Sequence, residues 1–189
     1  MIKVGVIGED PYDTKAIINL LKKRHTSVGF KQLGKKLTGC SLDSEKFFKT
    51  ISLDMDDTIS VVICTRDLDG FDSQVEKLKA RQAWFDRLND VLGEKGIFLL
   101  NIFELEALIL ADIESFNLDY RVSINFRGDP AMISDPKGLL QSNTRKAKKT
   151  YAVSHCPSVF DKLDIDIIER NCRYFRVFLQ DFQQRIARL

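Results

Sequence analysis

The chain has 189 residues, a length that fits one domain with at most a small lobe, and its 44% hydrophobic and 30% charged residues are an ordinary globular balance. No apolar run approaches the ~20 residues of a membrane helix, and a net charge of +2 excludes a globally basic coat, so any nucleic-acid surface must be a local patch. The four cysteines, Cys40, Cys64, Cys156 and Cys172, share no paired spacing, which argues for reduced structural thiols and against a zinc site.

In chain order, "MIKVGVIGED" reads as a first strand over about residues 2–8. Its apolar part is too short for a signal peptide and Glu9 follows at once, so a cytoplasmic protein is expected. Asp10-Pro11 then marks a helix start, with Asp10 as N-cap and Pro11 in the first turn. Ala16, Ile17, Leu20 and Leu21 continue at helical spacing. Residues 28–42 predict a strand followed by a lysine-bearing loop, and "FFKTISL" predicts a helix. "SVVICT" at 60–65 is a buried strand. A long charged helix follows at about 72–92, with Val75, Leu78, Trp84, Phe85, Leu88 and Val91 as its apolar positions. "GIFLLNIF" at 96–103 is another buried strand, running directly into the helix "LEALILAD". Strands alternating with helices predict an α/β core with a largely parallel, Rossmann-like sheet over residues 1–115.

After residue 115 the texture changes. Three prolines and a cluster of bases suggest an insertion or long loop, with a short helix near 136–142. From 164 the pattern is helical again, and Phe175, Phe178, Leu179, Phe182 and Ile186 form an apolar stripe suited to core packing. Residues 116–189 are therefore expected to be a basic loop and a C-terminal helical extension packed on the core, within one domain.

Three predicted strands end in acid: the first at Glu9, the second at Asp67 and Asp69, the third at Glu104 and Glu106. Ligands of open α/β sheets sit at the carboxyl ends of strands. Residues one apart in an extended chain point the same way. Asp67 and Asp69 should then face one spot, where their repulsion calls for a positive partner. With Asp13, one turn into the first helix, these acids make a candidate cage of hard oxygen ligands suited to Mg²⁺ or Mn²⁺. Two such ions can clamp the attacking and leaving oxygens of a phosphodiester displacement. Glu104 and Glu106 cannot share a face within one helix, because two residues rotate ~200°. Both reach the site only if the chain is still extended there, and Glu104, nearer the strand end, is the favoured ligand.

Each acid has a plainer alternative. Glu9 could be a solvated loop acid, Asp13 a residue that favours a helix N-terminus through the dipole, Asp67 and Asp69 turn formers before Gly70, and Glu106 a merely structural acid.

The ordered pattern resembles the TOPRIM domain, the metal-binding unit of topoisomerases, primases and OLD-type nucleases. The residues that carry it are Glu9 in "VIGEDPYD" and Asp67 and Asp69 in "CTRDLDG". "EDPYD" also resembles the Glu-x-x-x-acid element of OLD-type nucleases, which promotes Asp13. One departure is Asp10-Pro11, where TOPRIM usually has glycine after its glutamate. "FELEALIL", "SDPKGLL", "RKAKKTY" and "RYFRVFLQDF" resemble, in order, segments of a small bacterial TOPRIM-like family. The resemblance implies a metal-dependent nuclease with catalytic Glu9, Asp67, Asp69 and Glu104. It implies metal ligands among these, Asp13 and Glu106. It also implies an association with a partner ATPase in a bacterial antiviral-defence or plasmid-type module, and self-association is a further expectation.

The bases Arg145, Lys146, Lys148 and Lys149, together with Lys137, are the candidate contacts to nucleic acid, DNA or RNA; their alternative is a solvated helix face. His25 and His155 are isolated and join no metal spacing. Two rival functions remain. One is a non-catalytic TOPRIM-like module docking on an ATPase or nucleic acid. The other is a haloacid-dehalogenase-like phosphatase, suggested by the Asp-x-Asp-Gly at 67–70, with Asp67 as nucleophile.

Overall fold

The computed structural model describes residues 1–34 and 42–189. Four strands, β1 (Lys3–Ile7), β2 (Gly29–Gln32), β3 (Ile59–Asp67) and β4 (Gly96–Asn101), form one sheet in the order β2-β1-β3-β4. Every pairing is parallel. The order reverses between β1 and β3, so the crevice beyond their carboxyl ends is the topological switch point. The sheet is α/β as expected. The lysine-bearing loop predicted after β2, with Cys40, lies outside the described residues.

The β-strands' period of two sorts the core into two faces. Val4, Val6, Val61, Ile63, Ile97 and Leu99 point to one face, and Ile7, Val62 and Cys64 to the other. The first face is covered by α1 (Pro11–Lys22), α4 (Ala107–Ala111), α5 (Ile113–Tyr120), α7 (Cys156–Phe160), α8 (Ile165–Asn171) and α9 (Arg173–Ala187). The second face is covered by α2 (Glu45–Asp54) and α3 (Val75–Val91). Helix α3 lies only lightly on the sheet: Trp84 and Leu88 are buried, but Val75 and Val91, expected in the core, are exposed.

The segment after 115 is not the insertion or long loop its composition suggests. It carries α5, a 3-10 turn at Pro130–Met132, α6 (Pro136–Thr144), another at Val153–His155, and then α7. Phe116, Tyr120, Leu140, Tyr151 and Phe160 join the same core cluster as β1 and α1. The predicted boundary at 115 falls inside α5. Asn19 Nδ2 donates to the Pro157 carbonyl at 2.8 Å and Lys23 Nζ to that of Leu163 at 2.6 Å, tying α1 to this half of the chain. The Phe175, Phe178, Leu179 and Phe182 stripe is fully internal. Among the described residues, Cys64, Cys156 and Cys172 are buried free thiols, and no helix is long and apolar enough to cross a membrane.

Candidate active site

The switch-point crevice is built by four segments. Glu9 stands two residues past β1. Gly8, between them, lets α1 approach closely: a Cβ there would lie 2.7 Å from Thr14 Oγ1 and 3.0 Å from Thr65 Cγ2. Asp10 caps α1 as expected, its Oδ1 accepting the Tyr12 N–H at 2.6 Å. This start puts Asp13 in the first turn. β3 runs two residues further than predicted and ends on Asp67, in register with Asn101 of β4. Glu106 begins α4.

These four carboxylates crowd one another. Asp67 accepts from Asn101 Nδ2 at 3.0 Å, and its pKa is nonetheless driven well above the ordinary range, by burial first and then by the charges of Asp13 and Glu9. Burial, then Glu106 and Asp10, push Asp13 to about 8, against the pull of Lys137. Glu106 is 2% exposed and raised by burial, although Lys137 opposes this and Tyr151 Oη donates to it at 3.2 Å. Burial also raises Glu9, partly offset by Arg66 and by the Asp67 N–H, which donates to Glu9 Oε1 at 3.3 Å. Burial is the first cause at all four, and at Asp13 and Asp67 the neighbouring carboxylates add to it.

Asp69 lies at the edge of this group, where its charge still helps to raise Glu9. The expectation that it points with Asp67 assumed an extended backbone, but Asp69 is left-handed, with φ 55. The turn is held by Asp69 N–H donating to the Phe103 carbonyl at 3.1 Å and Phe103 N–H to that of Gly70 at 3.2 Å. The Asp69 carboxylate faces α3 instead, where Arg81 Nη2 meets it at 2.7 Å. Glu104 and Glu106 also divide differently from expectation. Glu104 is engaged by Lys137, through Nζ at 2.8 Å and the backbone N–H at 3.3 Å. Glu106, 4.0 Å from the same Nζ, is the acid coupled to Asp13 and Asp67.

Lys137 is thus drawn into the acidic centre from the first turn of α6, where Asp135 caps the helix and Pro136 opens it. Its pKa is raised: burial lowers it, but the Glu104 hydrogen bond and the Glu106 charge outweigh that. Arg145, Lys146, Lys148 and Lys149 lie just past α6 and are exposed, with Lys149 Nζ 4.8 Å from the Tyr120 ring centroid.

Two residues not expected from sequence, Arg66 and Asn101, complete the setting. Arg66, 4% exposed, forms a bidentate pair with Asp43 at 2.8 and 2.9 Å. It lies 4.6 Å from the Trp84 ring centroid, and its Nε is 3.4 Å from Glu9. Asn101 reads out the strand end next to Asp67. A polar residue closing the apolar run "IFLLN" is the same signal that marked Asp67. His155 Nδ1 pairs with Tyr120 Oη at 2.8 Å, whereas His25 packs edge-on to Phe182 and its buried Nε2 has no hydrogen-bond partner.

The donor chemistry of Glu9, Asp13, Asp67 and Glu106 suits a hard divalent cation, and the buried Asn101 Oδ1 has no hydrogen-bond partner. As positioned, among the described residues no three Asp, Glu, His or Cys side chains surround a single point closely enough to hold an ion together. Compared with known proteins, the chain matches no family model, no curated protein and no solved structure.

Proposed function

We propose that the protein is a metal-dependent nuclease of TOPRIM-like type, cutting phosphodiester bonds at the crevice between β1 and β3. The observation that carries this reading is the convergence of Glu9, Asp13, Asp67 and Glu106, four mutually repelling carboxylates, on the switch point of the sheet. A packed core gains nothing from such a cluster. A Mg²⁺ or Mn²⁺ ion would be held by Glu9, Asp13 and Asp67, with Glu106 behind them, and would supply Lewis-acid stabilisation of phosphoryl charge. Asp13, which holds its proton up to about pH 8, would have to give it up to bind such an ion. Lys137, poised beside Glu104 and Glu106, would place positive charge near the scissile group. Asn101 fixes the Asp67 carboxylate from the neighbouring strand.

The test is cleavage of labelled DNA and RNA with and without Mn²⁺, by the wild type, Glu9→Gln and Asp67→Asn. Loss of one general base commonly costs ~10²–10⁴-fold, so both variants should fall at least that far. Calorimetry in buffers of different ionisation enthalpy should also register protons leaving on Mn²⁺ addition. Undiminished cleavage by Asp67→Asn would end the reading. A second reading, a non-catalytic module docking on a partner ATPase or on nucleic acid, is favoured by the cations already set against these acids, Arg66 at Glu9 and Lys137 at Glu104. It expects no stoichiometric Mn²⁺ site. The phosphatase alternative needs its second aspartate beside Asp67, and Asp69 is turned to Arg81.

A further inference from the structure

The helical half of the chain carries a furrow that the nuclease reading does not use. Three concavities of about 480, 510 and 270 Å³ run into one another. Arg127 lines the first and second, and Arg121 the second and third, so the three adjoin along one surface, here called the groove. Its walls come from α5, the 121–128 turn, α8 and the far end of α6.

Four exposed cations border this groove: Arg170 and Arg127 at one end, Arg121 in the middle, Lys146 at the other. None forms an ion pair with a described residue, whereas Arg24, Arg66, Arg81 and Arg87 all do. Two acids lie on the lining. Asp112 is buried, and its carboxylate accepts the Ser115 and Asp164 N–H groups, so Glu114 is the one exposed negative charge there. Arg121 also occupies the left-handed position that closes α5, with φ 55. Glycine is the usual residue at such a helix end, and here the chain keeps a guanidinium.

Unpaired guanidinium groups spaced along an open-ended channel match successive phosphates, since arginine forks onto phosphate oxygens in a bidentate way. Phe126, partly buried on the same wall, offers a surface on which a base can stack. We infer that this groove binds the phosphate backbone of a nucleic-acid strand and leads it toward the acidic centre. Helix α6 joins the two places. Lys137 in its first turn meets Glu104, and Asn143 near its end lines the third concavity, six residues or about 9 Å further along the axis. The inference extends the nuclease reading, but its test does not depend on cleavage.

Binding is measured in EDTA, by anisotropy of a labelled oligothymidylate of about 20 nucleotides, over a range of salt concentrations. Each phosphate contact on a single strand contributes ~0.7 to the slope of log affinity against log salt. The triple variant Arg121→Gln, Arg127→Gln, Arg170→Gln should therefore bind about tenfold or more weakly, with a slope shallower by about two. Its urea midpoint should match the wild type, because these side chains are exposed and form no ion pair with a described residue. The corresponding triple lysine variant should recover most of the slope. Wild-type affinity and slope in the glutamine variant, or no binding by the wild type, would overturn the inference. So would displacement of the oligonucleotide by polyglutamate at equal charge, which would mark a general polyanion surface. Strand binding as described with no cleavage under Mn²⁺ would remove the nuclease reading and leave the groove standing.

Discussion

Asp13→Asn keeps the size of the side chain and removes its charge. Asp13 holds its proton up to about pH 8, against an ordinary value of 3.8. Between those values the folded chain binds a proton that the unfolded chain has already released. Wild-type stability must then fall as pH rises through this window, by up to ~1.4 kcal/mol per pH unit. Above about 8 both states are ionised and the loss stops growing. Asparagine has no such dependence. The full span would be ~6 kcal/mol, but Glu106 and Glu9 relax when one member of the cluster becomes neutral. We therefore expect the advantage of the variant to be near zero at about pH 4 and to reach ~2–4 kcal/mol at about pH 9. Urea unfolding in EDTA at several pH values measures it directly. A difference that stays flat across this range would refute the claim that Asp13 sits desolvated among like charges.

Three further outcomes follow from the packing. Trp84→Ala should cost ~3–5 kcal/mol in urea unfolding, because the indole packs on Phe47 and Phe98, faces Arg66 and donates to the Leu42 carbonyl at 3.1 Å. Gly8→Ala should cost ~1–3 kcal/mol, since its Cβ would meet Thr14 and Thr65; a neutral result would mean that α1 yields easily at its start. Lys137→Met leaves Glu104 and Glu106 without their cation. Lys137 is one-third exposed, so we expect a loss of only ~1–2 kcal/mol at about pH 8 and less near pH 5, where Glu106, raised by burial, more readily takes up a proton. An equal loss at both pH values would count against the ion pairs.

The fold was legible where local chemistry and tertiary packing agree. Apolar runs at β1, β3 and β4 are bounded by acids and turns, and Asp10-Pro11 starts a helix in the structure as it does on paper. The second half reads as an insertion or loop because three prolines and a cluster of bases fall there, yet the structure is helical. All four prolines, Pro11, Pro130, Pro136 and Pro157, stand in the first two positions of a helix or 3-10 turn, where the missing N–H costs nothing. At the site, Glu9 and Asp67 were legible as strand ends and Asp13 as a first-turn residue of the helix that Asp10-Pro11 starts. The departure of Asp69 was not, because it depends on backbone pairing between residues 69–70 and Phe103 and on Arg81, twelve residues away on α3. The choice of Glu106 over Glu104 likewise rests on Tyr151 and Lys137, which no local pattern links to it.

The bonds from α1 to the Pro157 and Leu163 carbonyls span 138 and 140 positions. A ribosome adding ~5–20 residues per second delivers the second partner roughly 7–28 seconds after the first. During that interval Ala16, Ile17, Leu20 and Leu21 have left the exit tunnel while α7 has not yet been made. The nascent chain therefore carries its amino-terminal helix without its carboxy-terminal partners for most of its own translation.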